Sequence, residues 1–113
     1  MRFGLSREVI EQIHGVLARH PQVHEALIYG SRAKGNYKPG SDIDLVLCGD
    51  QSLNMDVLLR IMWELEELPL PYTFDVCIYH QIDDPELLDH IRRVGKPFYR
   101  RGQPPHEEQQ AEA

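Results

Sequence analysis

Two aspartates one residue apart, Asp42 and Asp44, follow a Gly-Ser pair, Gly30 and Ser31, in the stretch YGSRAKGNYKPGSDIDL. On a strand, alternation sends Asp42 and Asp44 to one face and Ile43, Leu45 and Leu47 to the other. A later segment, YTFDVCIYH, repeats the pattern. Phe74, Val76 and Ile78 make its apolar face and leave Asp75 on the opposite one. If the two strands are neighbours in one sheet, three carboxylates converge and raise one another's pKa values. A hard divalent ion bound to oxygen ligands relieves that repulsion, and Mg²⁺ fits because it completes its shell with water and phosphate oxygens. Glycine at the end of a strand lets the backbone approach a ligand closely, and successive N–H groups with the Ser31 hydroxyl can cradle phosphate oxygens. Arg32 and Lys34 could add positive charge to a polyphosphate. The expectation is phosphate at one end of the loop and metal at the other.

The elements that must hold these residues are legible in the periodicity. Ser6 is placed to cap a helix with apolar residues at Val9, Ile10, Ile13, Val16 and Leu17, ended by Pro21. VHEALIYG reads as a strand arriving at the Gly30 turn, RAKGNYKPGS as a loop or short helical turn, and DIDLVLCG as a second strand. Val57, Leu58, Ile61, Met62, Leu65 and Leu68 trace a helix that Pro69 and Pro71 terminate. After the third strand, YTFDVCIYH, Asp84 and Pro85 open a last helix striped by Leu87, Leu88, Ile91 and Val94 and closed by Gly95. KPFYRRG reads as a short edge segment. This order predicts an α/β (α+β) domain, a small mixed β-sheet with helices packed on one face.

Composition bounds the rest. With 113 residues and a formal charge of -6, one domain over 1–102 is expected, and direct nucleic-acid binding is not. The polar stretch 103–113 reads as a disordered tail. Cys48 and Cys77 lie in apolar runs, which favours buried thiols of a reducing, cytoplasmic setting, and no run is long enough to span a membrane. The six histidines form no metal-ligand spacing and read as surface or partly packed residues. Trp63 reads as packing beside the helical stripe.

The residues quoted above resemble the signature of the nucleotidyltransferase superfamily related to DNA polymerase beta. Gly30 and Ser31 match its Gly-Ser pair, Asp42 and Asp44 its Asp-x-Asp, and Asp75 its third carboxylate. The resemblance implies the nucleotidyltransferase fold, ATP as substrate and a two-metal Mg²⁺ site on Asp42, Asp44 and Asp75, with Gly30, Ser31, Arg32 and Ser41 as the triphosphate-binding set. The short chain is similar to minimal nucleotidyltransferases, called MNT proteins, commonly encoded beside a helical HEPN partner. That likeness implies an antitoxin that transfers AMP to a tyrosine hydroxyl of a HEPN RNase toxin in a hetero-oligomer, with room for a homodimer. Two other readings stay open: an MNT-like antitoxin that acts by occlusion with weak or absent transfer, and a small-molecule enzyme similar to those that adenylylate aminoglycosides.

Overall fold

Ser6 starts the first helix as its cap, accepting the Val9 N–H at 3.2 Å. Asn54 does the same for Val57 at 3.1 Å, and Asp84, ahead of Pro85, accepts the Glu86 N–H at 2.9 Å. Such caps contribute about 1 kcal/mol each. The computed structural model describes residues 2–102, so the polar stretch 103–113 lies outside the described residues. Its elements are α1 (Arg7–Ala18), β1 (Glu25–Tyr29), α2 (Gly30–Lys34), β2 (Ile43–Cys48), α3 (Met55–Glu66), β3 (Phe74–Ile78), a 3₁₀ turn (Tyr79–Gln81), α4 (Pro85–Val94) and β4 (Lys96–Arg100). Helix α1 already ends at Ala18, where the N–H groups of Arg19 and His20 bond the carbonyls of Val16 and Leu17.

The strands form one mixed sheet in the order β3-β2-β1-β4. Strand β1 runs antiparallel to β2, with Tyr29 opposite Asp44. Strand β2 runs parallel to β3, with Asp44 opposite Asp75, and α3 makes the crossover that parallel pairing requires. The segment read as an edge is β4, antiparallel to β1, and its Phe98 is fully buried.

One face of the sheet carries the main core. Ile28, Leu45, Leu47 and Ile78 pack with Ile10, Ile13 and Leu17 of α1 and with Leu58, Ile61 and Leu65 of α3. Each such side chain stabilises the fold by about 1.5–3 kcal/mol on burial. Helix α4 lies elsewhere: its Ile91 packs with Tyr29 and Val46, flanked by Leu27, Cys77, Leu87 and Val94, on the second face. The expectation of helices on a single face therefore holds for α1 and α3 but not for α4. The physical reason is that Leu27, Val46 and Cys77 make the middle of the second face apolar, between Asp44 and Asp75 at one end and Glu25 at the other.

Gly95 also differs from expectation. It is extended (φ -62°) rather than left-handed, and leads straight from α4 into β4. Its N–H donates to the Ile91 carbonyl at 2.7 Å, and a Cβ there would lie 2.4 Å from that oxygen. Close approach, not a left-handed turn, is what requires glycine.

Candidate active site

Gly30 sits where β1 passes into α2, with φ +74°, a conformation that L side chains rarely adopt. The next strand's Asp44 lies directly against it: a Cβ built on Gly30 would stand 2.2 Å from Asp44 Oδ2. The Gly-Ser turn and the Asp-x-Asp segment are thus adjacent in the fold, although eleven residues separate Gly30 from Asp42. Ser31 is the second residue of α2, partly exposed. Gly35, left-handed at φ +89°, closes this five-residue helix through its N–H to the Ser31 carbonyl at 2.9 Å.

The sheet register puts Asp75 beside Asp44 on neighbouring strands. Burial, and then the charges of Asp75 and Asp42, push the Asp44 carboxyl up to about 6, with Arg32 pulling the other way. Asp42 is exposed, and its carboxylate accepts a hydrogen bond from the Thr73 hydroxyl. Thr73 shares the strand parity of Asp75, two residues away, which is the signal by which sequence reading could have found it. Beneath Asp44, Tyr29 donates toward or accepts from Cys77 Sγ at 3.7 Å and meets the edge of His90 at 6.0 Å. Burial and Cys77 raise the Tyr29 phenol well above its ordinary range. Both thiols are half-buried and held protonated by that burial, Cys48 at about 11, so neither is an activated nucleophile.

Arg32 has a place that its sequence context did not announce. It is only 3% exposed. Its Nε and Nη2 donate to the Ser41 carbonyl at 3.1 and 2.9 Å, and its Nη1 donates to the Phe3 carbonyl at 2.8 Å. Tyr37 and Tyr72 flank the guanidinium at 5.2 and 5.0 Å. Ser41 in turn accepts the Lys38 N–H on its hydroxyl at 2.9 Å and donates its own N–H to the Lys38 carbonyl at 3.0 Å. Arg32 thereby ties the residue that precedes Asp42 to the protein interior.

The donor set fits a hard divalent ion: Asp42, Asp44 and Asp75 offer only oxygen, and ionised Asp44 has two like charges and partial burial to offset. Among the described residues, no group of three or more His, Cys, Asp or Glu side chains is drawn together closely enough to hold a metal. Asp42 is engaged by the Thr73 hydroxyl.

Residues 11–104 match the family model for polymerase beta nucleotidyltransferases. The chain belongs to that family and is a nucleotidyltransferase by descent. It is 36% identical over 84 residues to "Putative protein adenylyltransferase MJ0435" of Methanocaldococcus jannaschii, covering 74% of this chain and 87% of that protein. Among solved structures, its fold is similar to that of a toxin–antitoxin complex with AMP-PNP (TM-score 0.67, 18% identity, 91% of this chain and 90% of that one). It is also similar to a chain in the complex of the tri-AMPylated Shewanella oneidensis HEPN toxin with MNT antitoxin (TM-score 0.64, 16% identity, 96% and 78%). Among the described residues, no helix is long and apolar enough to cross a membrane.

Proposed function

We propose that this protein is an MNT-type antitoxin that transfers AMP from ATP to a hydroxyl of a HEPN-family toxin, a tyrosine hydroxyl by the resemblance of the chain to MNT proteins. The observation that carries the reading is the contact of Asp44 with Gly30. It supports the reading because a turn suited to phosphate stands against Asp44, one of the carboxylates suited to the reacting α-phosphorus. The relative named as a protein adenylyltransferase and the neighbour with an AMPylated toxin support the choice of acceptor class.

Asp42, Asp44 and Asp75 would hold Mg²⁺, which when bound neutralises triphosphate charge and acidifies the acceptor hydroxyl. The chain's own groups do the rest. Gly30 and Ser31 bind the terminal phosphates and orient them so that pyrophosphate departs in line. Asp75, exposed at the strand next to Asp44, accepts the hydroxyl proton. The acceptor oxygen forms its bond to the α-phosphorus as the bond to the β-phosphate oxygen breaks. Arg32 holds the Ser41 carbonyl and with it the start of β2.

Neutralisation by occlusion is the second reading. It draws on Met55, Leu59 and Trp63, which stand 49, 56 and 63% exposed along α3 and offer a contact surface independent of the carboxylates. Incubation with labelled ATP, Mg²⁺ and the protein encoded next door, followed by mass analysis of both chains, separates the two. A gain of AMP units on the neighbour, abolished by Asp42→Asn with Asp44→Asn, supports transfer. Stable binding with no mass gain supports occlusion.

A further inference from the structure

Helix α4 brings His90 to the end of the second sheet face that carries the aspartates. Its imidazole meets the Tyr29 ring edge-on at 6.0 Å, is only partly buried, and makes no hydrogen bond or ion pair with any described residue. We infer that His90 belongs to the active site, where an imidazole N–H contacts the β-phosphate of the nucleoside triphosphate and then the departing pyrophosphate. The inference rests on the nucleotidyltransferase reading of the adjoining residues.

The path of the chain places this side chain. Directly paired residues share a face of a sheet, so Tyr29, Asp44 and Asp75, opposite one another on β1, β2 and β3, form one row across the second face. Gly30 and Ser31 continue from the Tyr29 end of that row. Helix α4 lies on the same face, with Ile91 against Tyr29 and Val46 and with Leu87 and Val94 beside it. It passes through Gly95 into β4, whose Lys96 pairs with Ile28. The last turns of α4 therefore stand at the same end of the sheet as Gly30, and α4 is in contact with α2. His90 lies three residues from Leu87 and four from Val94, a spacing that keeps it on the inward side of the helix.

The chemistry follows from the row. In an in-line displacement the attacking and leaving oxygens lie on opposite sides of the α-phosphorus. Asp75, which takes the proton of the acceptor hydroxyl, stands on β3 at one end, and His90 stands against Tyr29 of β1 at the other. His90 is thus on the leaving-group side. As the acceptor oxygen bonds to the α-phosphorus, the bond from that phosphorus to the bridging oxygen of the β-phosphate breaks, and its electron pair goes to pyrophosphate. An N–H donor at that oxygen stabilises charge that develops only in the transition state. The Tyr29 hydroxyl is turned instead to Cys77 Sγ at 3.7 Å, so its part is to back the imidazole with its ring.

Calorimetric titration of the full chain in Mg²⁺ with inorganic pyrophosphate and with AMP tests the inference. His90→Phe keeps a ring against Tyr29 but loses the donor, and should weaken pyrophosphate binding roughly tenfold while leaving AMP binding unchanged. His90→Gln, which restores an N–H donor, should recover most of that loss. A readout that needs no substitution is the nuclear magnetic resonance spectrum of the wild-type imidazoles, in which pyrophosphate should shift the His90 signals and AMP should not. Unchanged pyrophosphate affinity in His90→Phe, equal losses for pyrophosphate and AMP, or His90 signals that move with AMP alone each overturns the inference. Wild type that binds ATP and pyrophosphate with His90 unmoved ends the inference alone. Wild type that binds neither ends the nucleotidyltransferase reading and this inference with it.

Discussion

Asp44 Oδ2 occupies the space that a side chain at position 30 would need, 2.2 Å from where its Cβ would stand. Glycine at 30 is thus required twice over, by its left-handed φ of +74° and by the carboxylate against it. Gly30→Ala must strain the backbone by about 1–2 kcal/mol and displace Asp44. The expected outcome is a folded protein, its melting temperature lowered by several degrees, with AMP transfer reduced by a hundredfold or more. Gly15→Ala is the matched control. That glycine lies within α1, exposed, with nothing within 4 Å of its Cβ position, so alanine there should raise stability by about 0.5–1 kcal/mol and leave transfer intact.

Asp44 also carries a cost that a cation should remove. It is partly buried beside Asp75 and Asp42, which is why its carboxyl rises to about 6. With chelator present, Asp44→Asn is expected to be more stable than wild type at neutral pH. After allowance for solvent screening the gain is about 1 kcal/mol. Adding Mg²⁺ should raise the melting temperature of wild type and leave that of the variant nearly unchanged. Equal responses of the two proteins to Mg²⁺ would remove Asp44 from the metal set.

Strand parity made much of this site legible. The alternation in DIDLVLC and FDVCI was enough to put Asp44 and Asp75 on one face, and the sheet pairs them across β2 and β3. It could not reveal Arg32 as buried, because guanidinium groups are almost always exposed and no periodicity marks the loop carbonyls that satisfy it. Nor did the stripe of α4 say which face it covers, since an apolar stripe fits either side of a sheet whose second face is apolar only at its middle. Trp63 was read as packing because it adjoins the stripe of α3, yet it lies exposed with Met55 and Leu59; spacing of four places all three on the helix's outer side. His14 was read among surface or partly packed histidines and is instead buried under β4.

Arg32→Lys tests whether the guanidinium, rather than its charge, secures the loop. A lysine keeps the charge but cannot reach the Ser41 and Phe3 carbonyls together, and it loses the flat contact with Tyr37 and Tyr72. Unfolding in urea should show a loss of at least about 2 kcal/mol. Transfer should fall further than the residual folded fraction explains, because the segment before Asp42 is released. A variant as active as wild type per folded molecule would reduce Arg32 to a purely structural group.

His14 sets the acid side of the stability curve. Its Nε2 donates to the Phe98 carbonyl at 2.7 Å, its ring meets Phe98 and Tyr99 edge-on at 5.0 and 5.3 Å, and its buried Nδ1 has no partner. Burial lowers its pKa below 6.5, more than the hydrogen bond to Phe98 raises it. The folded protein therefore keeps His14 neutral, whereas the unfolded chain takes up a proton near 6.5. The unfolded state binds more protons in the window below 6.5, so stability from this group is complete above that pH. It declines as pH falls, by at most about 1.4 kcal/mol per pH unit. Denaturant unfolding of His14→Phe should show a lower plateau near pH 8, from the lost bond to Phe98, and a shallower fall between pH 6.5 and 5 than wild type. A parallel fall in both proteins would place the acid sensitivity on other groups.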